Sequence, residues 1–193
     1  MNPLTRTPDV EGRTYEELAL PEGTVDGVRF RDCTFVACSL PRARLTHCRF
    51  LGCRFTRCDL GNAVLTGSTF RDVTFDETKL VGIDWTAADL CGLTFTACVL
   101  DYGVFAGLDL RKTALRQCQA RHVDLEGTNL TESIADDTDL DGARFHRTNL
   151  TRADWRGACN YALRPADNTL KKTRLALPEA IALLYGLDIE LDD

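Results

Sequence analysis

Nine cysteines and three histidines carry the most reactive side chains of this 193-residue chain, and their spacing decides what they can do. A catalytic thiolate needs a base within reach, and structural zinc needs four ligands, commonly with CxxC pairing. Cys48, Cys53 and Cys58 are separated by four-residue gaps, which lack that pairing. His47, His122 and His146 stand at polar positions in no recognisable partnership with Ser, Cys or Asp. The glycines form no phosphate-cradling loop. The expectation is therefore a protein that is not an enzyme, has no catalytic residue and takes no metal or cofactor. Its thiols are expected to be free, as in a reducing compartment.

What positions these side chains is a repeat of five. Every fifth residue from Leu20 to Trp155 is apolar, 28 positions in succession, and only Val25, Trp85, Ala120, Ala135 and Trp155 are neither Leu nor Phe. We call this residue the centre. Two residues before it stands a smaller side chain, as at Cys33, Cys38, Cys48, Cys53, Cys58, Cys98 and Cys118. Two residues after it stands Gly in many repeats, including Gly27, Gly52, Gly67, Gly142 and Gly157, which suits a turn with positive φ. Helix and strand periods of 3.6 and 2 both carry a five-residue pattern out of register. One short extended stretch plus one turn per repeat keeps it, with the centre and the residue two before it facing inward. The seven cysteines at that smaller position are expected to act as compact hydrophobes.

Phe and Leu carry a second period. Phe pairs fall at 30/35, 50/55 and 70/75, and Leu pairs at 40/45 and 60/65, so like follows like after twenty residues. Four repeats per coil stack these residues in columns, whereas a triangular coil scrambles them. The predicted fold is all-β, a right-handed quadrilateral β-helix of about seven coils, with a short C-terminal helix over Pro178–Tyr185. The predicted organisation is an N-terminal cap over 1–19, the repeat solenoid over 20–159 and a C-terminal capping and dimerisation segment over 160–193, with the pattern breaking at Asn160.

Composition narrows the classes. No run of roughly 18 apolar residues offers a membrane span, and the first residues do not read as a signal peptide, so a cytoplasmic protein is expected. The net charge of −6 argues against direct nucleic-acid binding. Charge is segregated: residues 29–57 hold seven Arg against one acid, and residues 58–143 hold fifteen acids against six bases.

Repeats such as Ala-Arg-Leu-Thr-His (43–47), Cys-Arg-Phe-Leu-Gly (48–52) and Cys-Asp-Leu-Gly-Asn (58–62) resemble the pentapeptide-repeat proteins. Val81–Trp85 and the tail over 174–191 are similar to segments of the topoisomerase-protecting branch, which includes the Qnr-type, mycobacterial MfpA-type and albicidin-resistance proteins. The tail is most similar to the albicidin-resistance member. That resemblance implies a homodimeric rod, joined through its C-terminal segments, that imitates the size and charge of duplex DNA. Such a rod docks on DNA gyrase, and in the wider reading on topoisomerase IV, and shields the enzyme from poisons, giving antibiotic resistance or producer self-immunity. The unbroken register from Leu20 to Trp155 leaves no place for the interrupting loops of many Qnr-type proteins, as in the loop-free mycobacterial type.

With four sides assigned, Asp84, Asp101, Asp124, Glu126, Asp139 and Asp141 flank centres on two adjacent sides and form the expected acidic, gyrase-binding surface. Arg29, Arg31, Arg49, Arg71 and Arg111 gather on another side. Leu177, Ala180, Ile181, Leu183, Leu184, Leu187 and Ile189 are the expected dimerisation residues, because an exposed apolar patch at a rod end tends to be covered. The alternative is a structural scaffold whose sides bind an unrelated protein, with the surface charges serving solubility.

Overall fold

The computed structural model describes residues 3–5 and 7–187. The chain winds as a four-sided parallel β-solenoid in which every paired residue lies twenty positions from its partner, as in Phe30↔Phe50, Phe35↔Phe55 and Asp84↔Val104. Pairing starts at Asp9↔Arg29 and ends at Asp154↔Arg174, which gives about eight turns. The extra turn has two sources. Strands Asp9–Glu11 and Thr14–Glu16 already lie in coil register ahead of Leu20. At the other end the coil resumes after its break.

The first face carries the centres Val10, Phe30, Phe50, Phe70 and Leu90 in a five-stranded sheet. The second carries Tyr15, Phe35, Phe55, Phe75, Phe95, Leu115 and Ala135 in a seven-stranded sheet. The third runs through Leu40, Leu60, Leu80, Leu100, Ala120 and Leu140, and the fourth through Val25, Leu45, Leu65, Trp85, Phe105, Leu125 and Phe145. These two are joined mostly by single bridges between neighbouring coils.

Register turns the sequence columns into stacked rings. Successive rings sit face to face at 5.1 Å (Phe30 on Phe50), 4.8 Å (Phe50 on Phe70), 4.5 Å (Phe35 on Phe55) and 5.2 Å (Phe55 on Phe75). Rings on adjacent faces meet edge-on, as Phe50 meets Phe55 at 5.6 Å. Such pairs contribute about 0.5–1.5 kcal/mol each beyond the burial of their area.

The smaller inward residue does more than fill space. Its thiol or hydroxyl points at the carbonyl of a centre 23 residues earlier, in the preceding coil. Cys53 approaches Phe30 O at 3.5 Å, Cys58 approaches Phe35 O at 3.4 Å and Thr78 Oγ1 donates to Phe55 O at 3.2 Å. Farther on, Thr128 and Thr148 repeat the bond at 2.9 and 2.8 Å. All seven cysteines of this position are buried, while Cys91 is exposed and Cys159 partly so. Burial pushes the Cys48 thiol up to about 11 and the Cys53 thiol up to about 12. Their role as compact hydrophobes is thus joined by one as weak donors.

Two residues past the centre the backbone turns with positive φ at nearly every corner. Gly52, with φ +62°, shows why glycine recurs: an added Cβ would stand 2.3 Å from the Asp32 carboxylate of the preceding coil. Gly157, read from sequence as one of these turn residues, lies outside the positive-φ set, because the coil changes course there. A second departure lies at Trp85–Ala87, which forms a 3₁₀ turn capped by Asp84, whose carboxylate accepts from Thr86 N at 3.0 Å. The Gly67 N–H consequently reaches Ala87 O, one residue beyond the usual partner. The five-residue register of the sequence survives this excursion.

At Asn160 and Pro165 the centres lose their large apolar side chains, and Tyr161 and Leu163 enter the core instead. The coil then resumes through Asn149↔Thr169, with Leu170 and Leu175 packed on the core. The break expected at Asn160 is therefore an interruption of about two repeats rather than the end of the coil. Past it, Glu179–Ile181 forms a 3₁₀ turn that runs into the helix Ala182–Tyr185, after Pro178 and before Gly186.

Candidate functional site

The third and fourth faces hold the six acidic residues singled out in the sequence. Asp101, Asp139 and Asp141 flank third-face centres, and Asp84, Asp124 and Glu126 flank fourth-face centres. The coil places these groups on adjoining sides of one rod, as expected, but it also brings arginines to three of them. Asp101 is only 7% exposed and is held by Arg121 through Nη2 at 2.6 Å, Nε at 3.1 Å and the backbone N–H at 2.9 Å. This partnership holds the Arg121 guanidinium above its ordinary pKa. Arg144 donates to Glu126 at 2.5 Å and lies 3.8 Å from Asp124.

Asp84, Asp139 and Asp141 have no cation within ion-pair distance among the described residues. Asp84 caps the turn at Thr86, and Asp139 accepts from Asp141 N at 3.2 Å and from Asn160 Nδ2 at 2.8 Å. The free negative charge of the patch is therefore concentrated on these three. Reading the acids as one set passes over Arg121 and Arg144. The coil held the signal, since Arg121 follows Asp101 by twenty residues and Arg144 follows Asp124 by twenty.

The basic side is screened in the same way. Arg29 pairs with Asp9 at 2.8 Å, Arg71 with Asp89 at 3.0 Å and Arg111 with Asp109 at 2.8 Å, while Arg49 has no ion-pair partner among the described residues. Hydrogen bonding from Arg111 holds the Asp109 carboxyl below its ordinary range. Most of these bonds join residues in successive coils, so the rod's charges lace its turns together. Exposed pairs of this kind contribute little individually, because water screens both partners.

Away from the charges, Tyr102 and His122 occupy successive corners beyond the third face. Their rings are stacked at 5.1 Å, and Tyr102 is 61% exposed. The three histidines are exposed. His47 meets Asp26 at 2.9 Å, and hydrogen bonds from Thr46 and then His47 lower the Asp26 pKa. Among the described residues no three metal-binding side chains come together, and no helix is long and apolar enough to cross a membrane.

In the C-terminal segment Leu177 is 76% exposed, Leu187 47% and Ile181 36%. Ala180 and Leu184 are half-buried, and Leu183 packs against the rod core, so it serves as a plug. Ile189 lies outside the described residues.

Comparison with known proteins bears on this architecture. The family model for the pentapeptide repeat region matches residues 28–105, and that for pentapeptide repeats (8 copies) matches residues 109–152 and 138–158. The chain belongs to the pentapeptide-repeat family. The solved structure of full-length QnrB1, a plasmid-mediated fluoroquinolone resistance protein, covers 91% of this pentapeptide-repeat protein and 100% of its own chain, with a TM-score of 0.62 and 19% identity. A trypsin-treated variant of QnrB1 gives a TM-score of 0.53 at 18% identity, covering 96% and 97% of the two chains. At these identities the likeness is one of fold. No match was found among curated proteins, and the similarity of the tail to the albicidin-resistance member stands on the sequence alone.

Proposed function

We propose that this pentapeptide-repeat protein is a binding protein that imitates duplex DNA, docks on bacterial DNA gyrase and protects it from topoisomerase poisons. Topoisomerase IV is the second enzyme of this reading. The observation that carries it is the trio Asp84, Asp139 and Asp141, free of ion-pair partners among the described residues and displayed on adjoining faces of a four-sided parallel β-solenoid. A basic saddle that holds phosphates is attracted to such a surface. The fold shared with QnrB1 supports the same reading. Exposed Leu177, Ile181 and Leu187 support a homodimer joined end to end, which doubles the patch about a two-fold axis.

The pairing of Asp101, Asp124 and Glu126 with arginines favours a second reading, a scaffold rod whose charges mainly tie its coils together. One experiment separates the two. Purified gyrase is assayed for DNA supercoiling with a titration of this protein, with and without a fluoroquinolone or albicidin. Relief of poisoning is expected of the wild-type protein, and its loss is expected when Asp84, Asp139 and Asp141 are all changed to Asn. That substitution keeps side-chain acceptors for the local bonds while removing three charges. A folded triple variant that protects as well as the wild type ends the acidic-surface reading. Absence of any effect by the wild type leaves the scaffold.

A further inference from the structure

We propose that the stacked pair Tyr102–His122 is the anchor of the docking surface, and that the open face of the Tyr102 ring receives an arginine side chain of the partner enzyme. The inference rests on the gyrase-binding reading above and assigns that surface its hot spot. Among the described residues the large exposed hydrophobic side chains are Tyr102 and three residues of the C-terminal segment, so Tyr102 stands alone on the wall of the rod. Both ring-bearing residues take the left-handed corner conformation, with φ of +61° and +55°. The rings are nearly parallel, 15° apart, at a spacing of 5.1 Å that matches one coil.

One face of Tyr102 is covered by His122. The other looks along the corner toward Gly82, which contributes no side chain of its own; the small Asn62 amide of the coil before reaches over that glycine, and the Tyr102 ring stays largely exposed. The neighbouring residues are fixed: Asp101 and Arg121, each adjacent in sequence to one ring, are clamped to each other by three hydrogen bonds. A rigid aromatic group beside a buried carboxylate that is held in place by three hydrogen bonds is the kind of feature that dominates binding energy, because little freedom is lost when the partner lands on it.

Charge decides what lands. Arg121 is already paired with Asp101, and the exposed Asp84, which has no ion-pair partner among the described residues, stands two residues from Gly82 in the coil toward which the uncovered side of the ring looks. A π face with a surplus carboxylate in the adjoining coil favours a planar cation over a neutral group. Guanidinium fits best, since it can both stack on a ring and donate to a carboxylate. A surface built to hold a DNA backbone is rich in such groups.

The test is the affinity of gyrase for immobilised full-length protein, measured for the wild type, Tyr102→Asn, Tyr102→Phe and His122→Asn. Asn tolerates the left-handed backbone, so removal of the ring leaves the corner unstrained, and matching thermal unfolding confirms the fold. The expected result is about a tenfold weaker complex for Tyr102→Asn and about threefold for His122→Asn, with Tyr102→Phe, which keeps the ring, restoring near wild-type affinity. Binding of Tyr102→Asn within twofold of the wild type overturns the anchor while leaving the gyrase reading standing. Failure of the wild type itself to bind gyrase overturns that reading, and the anchor with it.

Discussion

The two halves of the rod share one backbone rule and meet it with different side chains. From Phe30 to Phe95 the first two faces hold seven Phe centres stacked face to face, and five buried cysteines at 33, 38, 48, 53 and 58 approach the carbonyls of the coil. From Leu110 onward the first-face centres are Leu, its extended ladder gives way to single bridges, and the inward donors are mainly hydroxyls: Thr128, Thr138, Thr148 and Thr173. The first half draws its cohesion from ring stacking and burial. The second half replaces part of that with directed hydrogen bonds in a less aromatic core. A five-residue repeat therefore specifies geometry and leaves the source of cohesion free.

The contrast can be broken most sharply at Phe55, fully buried between Phe35 and Phe75. Phe55→Ala is expected to lower the stability measured by chemical denaturation by about 4 kcal/mol, through lost transfer energy and the cavity left behind. If hydrogen exchange then shows weakened protection across the C-terminal half as strongly as around Phe55, the halves unfold together and the division is one of composition only. A smaller effect is expected at Thr148, whose hydroxyl donates at 2.8 Å from a fully buried site. Thr148→Val keeps the shape and removes the donor, at a cost of about 1–2 kcal/mol. Cys58→Ala in the first half is expected to cost less through its bond, because a thiol is a weak donor, and equal losses in the two variants would erase that distinction.

The smallest effect is expected at Ala120. It replaces Leu in the third column, beside a cavity of about 20 Å³ lined by Phe95, Leu100, Phe105 and Leu125 among others. Ala120→Val is expected to raise stability by about 1 kcal/mol by filling apolar space. Destabilisation instead would mean that the core there is closed already and that the second half is as tightly packed as the first.

How much of this was readable from the residues depends on what each feature rests on. The four-sided coil followed from Phe30, Phe50 and Phe70 recurring at twenty, because identical rings that stack must share a column. The placement of Asp84, Asp101 and Asp139 on adjoining faces followed from the same arithmetic. Their unequal electrostatic standing did not, because it depends on which long side chains in the next coil bend back, as Arg121 does to Asp101 and Arg144 does to Glu126. The extra turn beyond Asn160 was hidden because two successive centres, Asn160 and Pro165, are not large apolar residues. Tyr161 and Leu163 fill the core from off-register positions that a strict period of five passes over. The 3₁₀ turn at Trp85 left no trace in the period, since the apolar count runs straight through it.

The uniform offset of twenty between paired residues has a further consequence for how such a rod changes length. Each coil is an interchangeable tile, so loss or gain of twenty residues shortens or lengthens the rod by one coil and leaves every later side chain on its original side. An insertion or deletion of a single repeat acts otherwise. It rotates everything downstream by a quarter turn, so that Asp139 and Asp141 would move to a different side from Asp101 while the core columns still met apolar partners. Surface pattern can thus be re-indexed against the core in discrete steps, without a substitution at any inward position.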